Sequence, residues 1–116
     1  KKRGLIYQIN TLGGNIDNPQ FEQASCYPHR SSPYLSELQY YWDEKKDPSE
    51  LLKSFDEIQN ILYENGIRKQ YRNYPNLGFK EWERAYYGEN YERLQSIKNT
   101  YDPSDLFAQK QTVGLK

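Results

Sequence analysis

Histidine and cysteine, which often serve in acid–base and covalent chemistry, are scarce in this sequence of 116 residues. One histidine, His29, and one cysteine, Cys26, are present, which argues against an internal disulfide or a Cys/His metal site. Tyrosine is abundant, with 12 copies, but a phenol of free pKa about 10 accepts a proton only where a positive charge or hydrogen-bond donors favour its anion. Tyr71, with Lys69 and Arg72 as sequence neighbours, is the candidate base. Simple packing is the alternative, which the residue pattern alone favours.

The composition narrows the kinds of partner that the chain can bind. Only 35% of the residues are hydrophobic and the mean hydropathy is -1.12, but 16% are aromatic, which indicates a globular segment. Sixteen basic residues balance sixteen acidic residues, so no excess charge favours nucleic acid or an anionic membrane surface. The opening residues Lys1-Lys2-Arg3 lead directly into an apolar run without the features of a signal peptide. We therefore expect the start to lie inside a larger protein.

The pattern of residues predicts three strands, over residues 4–12, 24–27 and 35–42. Alternation places Gln8 and Gln39 on strand faces, opposite to Ile9 and Leu38 respectively. A glutamine donates and accepts hydrogen bonds at once, which suits recognition of a substrate hydroxyl. An exposed glutamine without a function is the alternative at both positions.

Helices are predicted in the second half of the chain. Asp47-Pro48-Ser49-Glu50 is typical of a helix start and Gly66 of a helix end, so a helix is expected over residues 49–65. A loop over residues 70–78 precedes two helices, 79–86 and 89–100, which are broken at Gly88. The order favours an α+β fold, an antiparallel sheet with flanking helices that is incomplete on its own. The expected apolar stripes are Leu51, Phe55, Ile58 and Leu62 in the first helix and Tyr91, Leu94 and Ile97 in the last.

Several motifs occur along the chain in a characteristic order. They are Leu12-Gly13-Gly14, Tyr27-Pro28-His29-Arg30, Tyr71-Arg72-Asn73-Tyr74, Tyr86-Tyr87-Gly88-Glu89-Asn90-Tyr91-Glu92-Arg93-Leu94, Lys98 and Tyr101-Asp102-Pro103. In order and rough spacing they resemble one family, the berberine-bridge-enzyme-like flavoproteins. The resemblance implies the C-terminal part of a two-domain flavoprotein whose FAD is bound mainly by an upstream domain. It also implies that residues 1–70 belong to the substrate-binding domain and that residues 71–116 pack back on the flavin domain.

The resemblance assigns expected roles to individual residues. Tyr71 corresponds to the base that takes the substrate proton, and Asn73 and Tyr74 to residues on the flavin side. Gln8 and Gln39 resemble positions that line the substrate cleft. The remaining candidates are weaker: His29-Arg30 as a structural link with an arginine for an ion pair, Cys26 as a small buried residue, and Glu22 as a carboxylate base of the alkaloid-oxidising type.

The function implied by the resemblance is oxidation of an alcohol or carbohydrate hydroxyl by hydride transfer to FAD, with dioxygen reduced to hydrogen peroxide. The implied partners are the N-terminal flavin-binding part of the same protein and a small alcohol or sugar, with no nucleic acid and no membrane. A secreted protein is also implied. The segment alone is not expected to be active. A non-catalytic packing or interaction module, from a flavoprotein that has lost its chemistry, is the alternative.

Overall fold

The computed structural model describes residues 4–116, and the expectation that concerns Lys1-Lys2-Arg3 lies outside this range. Within it, close contacts divide the chain into two compact units. One unit contains the described residues up to Asp17 together with Ser31–Arg68, and the other contains Asn18–Arg30 and Lys69–Lys116. The elements in chain order are β1 (Leu5–Thr11), α1 (Pro19–Ala24), β2 (Tyr34–Tyr40), α2 (Ser49–Glu64), α3 (Trp82–Tyr87), a 3₁₀ turn (Gly88–Asn90) and α4 (Tyr91–Tyr101).

The sheet of the first unit has two antiparallel strands, β1 and β2. The predicted strands at 4–12 and 35–42 are confirmed to within a few residues, and the α+β class with them. The register pairs Gln8 with Glu37 and Ile6 with Gln39. Because paired residues point to the same side of a sheet, Gln8 and Gln39 share a face.

The predicted strand at 24–27 is wrong, because Ala24 is the last residue of a short helix, α1, and a bend follows at residues 25–26. The side chain of Asn18 accepts a hydrogen bond from the backbone N–H of Gln20 at 3.0 Å, and Pro19 occupies the first helical turn. These two residues cap and start a helix locally. Local capping thus outweighs the strand preference of the residues that follow.

Helix α2 confirms the prediction for residues 49–65. The carboxylate of Asp47 accepts the backbone N–H of Ser49 at 3.0 Å, as its capping position requires. The predicted stripe is the shielded side of the helix, since its four residues are all half-buried. Phe55 packs edge-on against Tyr40 of β2, with ring centroids 5.3 Å apart. Helix α2 therefore packs on the Tyr40 end of the sheet face opposite to the two glutamines, while Tyr7 and Ile9 on that face stay exposed.

The core of the second unit is small and aromatic. Its buried apolar residues are Phe79, Ala85 and Tyr86, and Tyr86 is only 2% exposed. The predicted break at Gly88 is confirmed, because this residue has φ 55° and ψ −135° between α3 and α4. This backbone conformation favours glycine.

The predicted apolar stripe of α4 is only partly correct. Tyr91 and Leu94 are half-buried, but Ile97 is 44% exposed and Lys98 is turned inward instead. The ammonium group of Lys98 pairs with the carboxylates of Asp102 and Asp105, the latter at 2.9 Å. Since a lysine can be shielded when its charge is paired, the ion pairs decide the inward face of this helix.

Neither a membrane-spanning helix nor a cluster of metal ligands is found in the part of the chain that the structure describes. None of the helices in residues 4–116 combines the length and hydrophobicity needed to cross a membrane. In the same range, no group of three or more His, Cys, Asp or Glu side chains is arranged to hold a metal ion.

Candidate active site

Tyr71 lies in a cluster of aromatic rings in the second unit. A turn closes on it, because the backbone N–H of Tyr74 donates to the carbonyl of Tyr71 at 2.9 Å. The half-buried ring of Tyr71 meets those of Tyr74 and Tyr27 edge-on, with centroids 5.2 and 5.9 Å away. Edge-to-face contacts of this kind fix the direction of a ring. The phenol is therefore held in place by its neighbours.

Asn73 is directed at the same phenol. Its side-chain Nδ2 donates to the hydroxyl oxygen of Tyr71 at 2.8 Å. A donor aimed at a phenolic oxygen stabilises the anion more than the neutral group, because the bond becomes charge-assisted. Asn73 and Tyr74 are both exposed, Tyr74 by 53%. The roles expected for these two residues beside a flavin stay predictions.

The two cations that flank Tyr71 in sequence have other neighbours. The guanidinium group of Arg72 lies over the ring of Tyr86, 5.6 Å from its centroid. Lys69 acts electrostatically on His29 and helps to lower its pKa. The hydrogen-bond donor observed at the phenol of Tyr71 is thus the neutral amide of Asn73.

Tyr27 is a member of the cluster that the sequence analysis did not identify. Burial is the main reason why its pKa is raised, the phenol of Tyr71 raises it further, and Arg30 partly opposes both. Arg30 lies over the rings of Tyr27 and Phe21, at 5.7 and 5.6 Å, and donates to Ser25 at 3.3 Å. An ion pair was expected for Arg30, but its guanidinium group contacts these aromatic rings instead. No local pattern links Tyr27 to Tyr71, so only the fold reveals their contact.

His29 has a structural position in the second unit. It is 7% exposed, and its Nε2 lies 2.8 Å from the carbonyl oxygen of Ala85 in α3. Since a carbonyl only accepts, Nε2 carries the proton. Burial is the main reason why the pKa of His29 is lowered. The adjacent Cys26 is exposed, so the expectation that it is buried is wrong. A bend after the short helix α1 turns it outward.

Replacing His29 by glutamine is expected to remove a pH dependence of stability. Because the pKa of His29 is lowered in the folded protein, the unfolded chain binds a proton more readily than the folded one. The contribution of His29 to the free energy of unfolding is therefore fully present above about pH 6.5 and is lost as the pH falls below that value. Urea unfolding of the full-length protein between about pH 7.5 and about pH 5.5 measures this. The glutamine retains an N–H donor for Ala85. Equal pH dependence in wild type and variant would contradict the assignment.

Gln8 and Gln39 lie on the polar face of the sheet, in the first unit. The side-chain N–H of Gln8 donates to Asn10 at 3.0 Å. Gln39 accepts from the hydroxyl of Tyr41 at 2.9 Å and donates to the carboxylate of Glu37. The face therefore contains three further polar groups, Asn10, Glu37 and Tyr41, for which strand alternation was the available signal.

Comparison with known proteins agrees with the family resemblance. Residues 70–114 match the family model "Berberine and berberine like". Uncharacterized FAD-linked oxidoreductase YgaK of Bacillus subtilis is 38% identical over 63 residues, which are 47% of this chain and 14% of that protein. FAD-linked oxidoreductase dpmaF of Metarhizium anisopliae is 30% identical over 97% of this chain and 24% of its own length. Hexose oxidase of Chondrus crispus is 25% identical over 98% of this chain and 25% of its own length. No solved structure matches.

The relatives matched are FAD-linked oxidoreductases, and residues 70–114 of this chain match the domain that the berberine-bridge-enzyme-like members of that class share. The chain spans a quarter or less of the length of the three relatives. The family match covers Tyr71, Asn73 and Tyr74, while Gln8 and Gln39 lie in the stretch aligned with the longer matches.

Proposed function

We propose that this chain forms part of an FAD-dependent oxidase acting on a hydroxyl group of a small alcohol or sugar. The single observation that carries the proposal is the arrangement at Tyr71, whose ring is held edge-on by two tyrosines and whose hydroxyl accepts an amide N–H. A positioned phenol with a donor at its oxygen is suited to accept the proton of a substrate hydroxyl. Glu22 of α1 is an alternative base from the same unit.

The residues beside Tyr71 fit the edge of a flavin but not its pyrophosphate. Asn73 presents an exposed amide and Tyr74 an exposed ring, which can hydrogen-bond to and pack against an aromatic ring system. The chain has no glycine-rich loop of the kind that binds a pyrophosphate. We therefore assign the binding of most of the cofactor to the N-terminal part of the same protein. When bound, FAD supplies the acceptor for the hydride.

The same partner accounts for an exposed apolar surface at the end of α4. Tyr101, Leu106 and Phe107 are 83%, 77% and 73% exposed. Asp102 fixes the turn that carries two of them, because its carboxylate accepts the backbone N–H groups of Leu106 at 2.8 Å and of Phe107 at 3.1 Å. We propose that this ordered apolar turn packs on the flavin domain, with residues 71–116 as the packing segment and residues 1–70 as part of the substrate-binding domain.

A carbohydrate is the substrate class that we favour. The support is the likeness to hexose oxidase over nearly the whole chain, together with the polar sheet face around Gln8 and Gln39. Amide side chains match hydroxyl groups, since both donate and accept. The products would be the oxidised sugar and hydrogen peroxide, with dioxygen as the final electron acceptor.

Addition of a hexose to the full-length protein without oxygen is expected to bleach its visible flavin absorbance, because the substrate reduces the cofactor. Admission of air should restore the colour and produce hydrogen peroxide. A panel of hexoses and simple alcohols, followed by absorbance and a peroxide assay, measures both steps. A colourless full-length protein would instead favour the non-catalytic packing module. Bleaching by alkaloid amines and not by hydroxyl compounds would contradict the substrate class.

A further inference from the structure

The polar face of the sheet contains a carboxylate that the proposed function does not yet use. Glu37 lies directly opposite Gln8 in the register and two positions before Gln39 on the same strand. The three side chains therefore emerge on one face, with those of a directly opposed pair starting about 5 Å apart. Glu37 and Gln39 are half-buried, and Gln8 is exposed. A carboxylate thus lies between two amides at the surface of the face.

Hydrogen bonds fix the direction in which these groups point. The hydroxyl of Tyr41 donates to the carbonyl oxygen of Gln39 at 2.9 Å, and the amide N–H of Gln39 donates to Oε2 of Glu37. A carboxylate accepts about four hydrogen bonds, so Glu37 retains acceptor capacity at Oε1. The amide of Gln8 uses one N–H toward Asn10, and its second N–H and its carbonyl oxygen add donor and acceptor capacity.

The charge of Glu37 selects among ligands. Within residues 4–116, the ion pairs found involve Arg84 and Lys98 with other acids, and no cation lies within pairing distance of Glu37. An anionic ligand would be repelled by this uncompensated carboxylate. Neighbouring hydroxyls of a sugar ring can each donate to it in a charge-assisted bond and accept from an amide beside it. Because the amides around Glu37 supply paired donors and acceptors, a neutral polyhydroxyl ligand matches the polar part of the face, which Ile6 and Leu35 border.

We propose that Glu37 is a specificity-determining residue that binds two adjacent hydroxyl groups of a neutral sugar, with Gln8 opposite, and disfavours sugar acids. The inference rests on the proposed function, since it takes this sheet face to line the substrate cleft. It differs from the role of Tyr71, because Glu37 determines which substrate binds and Tyr71 takes the proton. Glu37→Gln should therefore change affinity and selectivity and leave the chemical step nearly intact.

Anaerobic rapid-mixing measurements on the full-length flavoprotein test this. The substrates are the hexose that reduces the wild-type flavin fastest and the corresponding hexuronate. For Glu37→Gln, the dissociation constant of the hexose should rise about 10- to 100-fold, as expected for a lost charge-assisted contact, with a limiting rate of flavin reduction close to that of wild type. The preference for hexose over hexuronate should fall at least about 10-fold, because the repulsion is gone. The matched control is Glu57→Gln, on an exposed position of α2, which should change neither value.

A second variant, Glu37→Asp, separates the effect of the charge from that of side-chain length, because aspartate keeps the carboxylate on a shorter side chain. It should weaken hexose binding but keep the preference over hexuronate, because the charge remains. An unchanged dissociation constant and preference in Glu37→Gln, with normal flavin content, would overturn the assignment of Glu37. So would a loss confined to the limiting rate, or faster reduction of the wild type by a hexosamine than by the hexose. A wild-type flavin that no sugar or alcohol reduces would instead overturn the proposed function on which this inference depends.

Discussion

Replacing Tyr71 by phenylalanine is expected to lower the rate of flavin reduction about 10²-fold or more, the usual contribution of one positioned proton acceptor. The substitution removes only the hydroxyl and keeps the ring that packs against Tyr27 and Tyr74. Substrate affinity and flavin absorbance should therefore change little.

Anaerobic rapid-mixing measurements of the full-length protein across a pH series provide the test. Tyr34→Phe is the matched control, since it removes the same group from an exposed residue of β2 and should leave the rate unchanged. Asn73→Ala should lower the rate less than Tyr71→Phe does, because it removes the amide that donates to the phenol at 2.8 Å but leaves the phenol itself. An unchanged reduction rate in Tyr71→Phe would move the base to Glu22 or to a residue outside this chain.

The largest effect on stability is expected at Tyr86. Its side chain is 2% exposed and is surrounded by aromatic rings, including Trp82 at 6.0 Å. Its hydroxyl accepts the backbone N–H of Asn76 at 3.2 Å and donates to Gln111 at 2.9 Å, and Gln111 donates back to the carbonyl of Asn76 at 2.8 Å. This closed ring of hydrogen bonds ties the end of the chain to the loop before α3.

Tyr86→Ala should lower the free energy of unfolding by about 3–5 kcal/mol, the usual cost of deleting a buried aromatic ring. Tyr86→Phe should cost less, about 1–3 kcal/mol, because the ring stays and only the hydrogen-bond partners lose their contact. Urea unfolding of the full-length protein, followed by flavin release and circular dichroism, measures both. The control Tyr34→Ala, at a residue that is 60% exposed, should change stability by about 0.5 kcal/mol or less. Equal effects of the two alanine substitutions would contradict the core described above.

Local signals explain which elements could be predicted. Helix α2 was correctly bounded because its start, its apolar stripe and its closing Gly66 all depend on residues within a few positions of one another. The break at Gly88 follows from the same kind of information. The strand predicted at residues 24–27 was wrong, although the signal against it is also local. Asn18 and Pro19 start a helix in this stretch, and the prediction gave more weight to the residues that follow them.

The sequence by itself determined the α+β class, the positions of the two strands, the long helix and the family motif that contains Tyr71. Only the tertiary structure decided which groups meet that phenol, which side of α4 is shielded, and that Glu37 lies opposite Gln8. The physical reason is the separation of the interacting residues along the chain. Helix caps and strand alternation are written into neighbouring residues, whereas the contact of Tyr27 with Tyr71 and the pairing of β1 with β2 join distant segments, whose register depends on the packing of the folded chain.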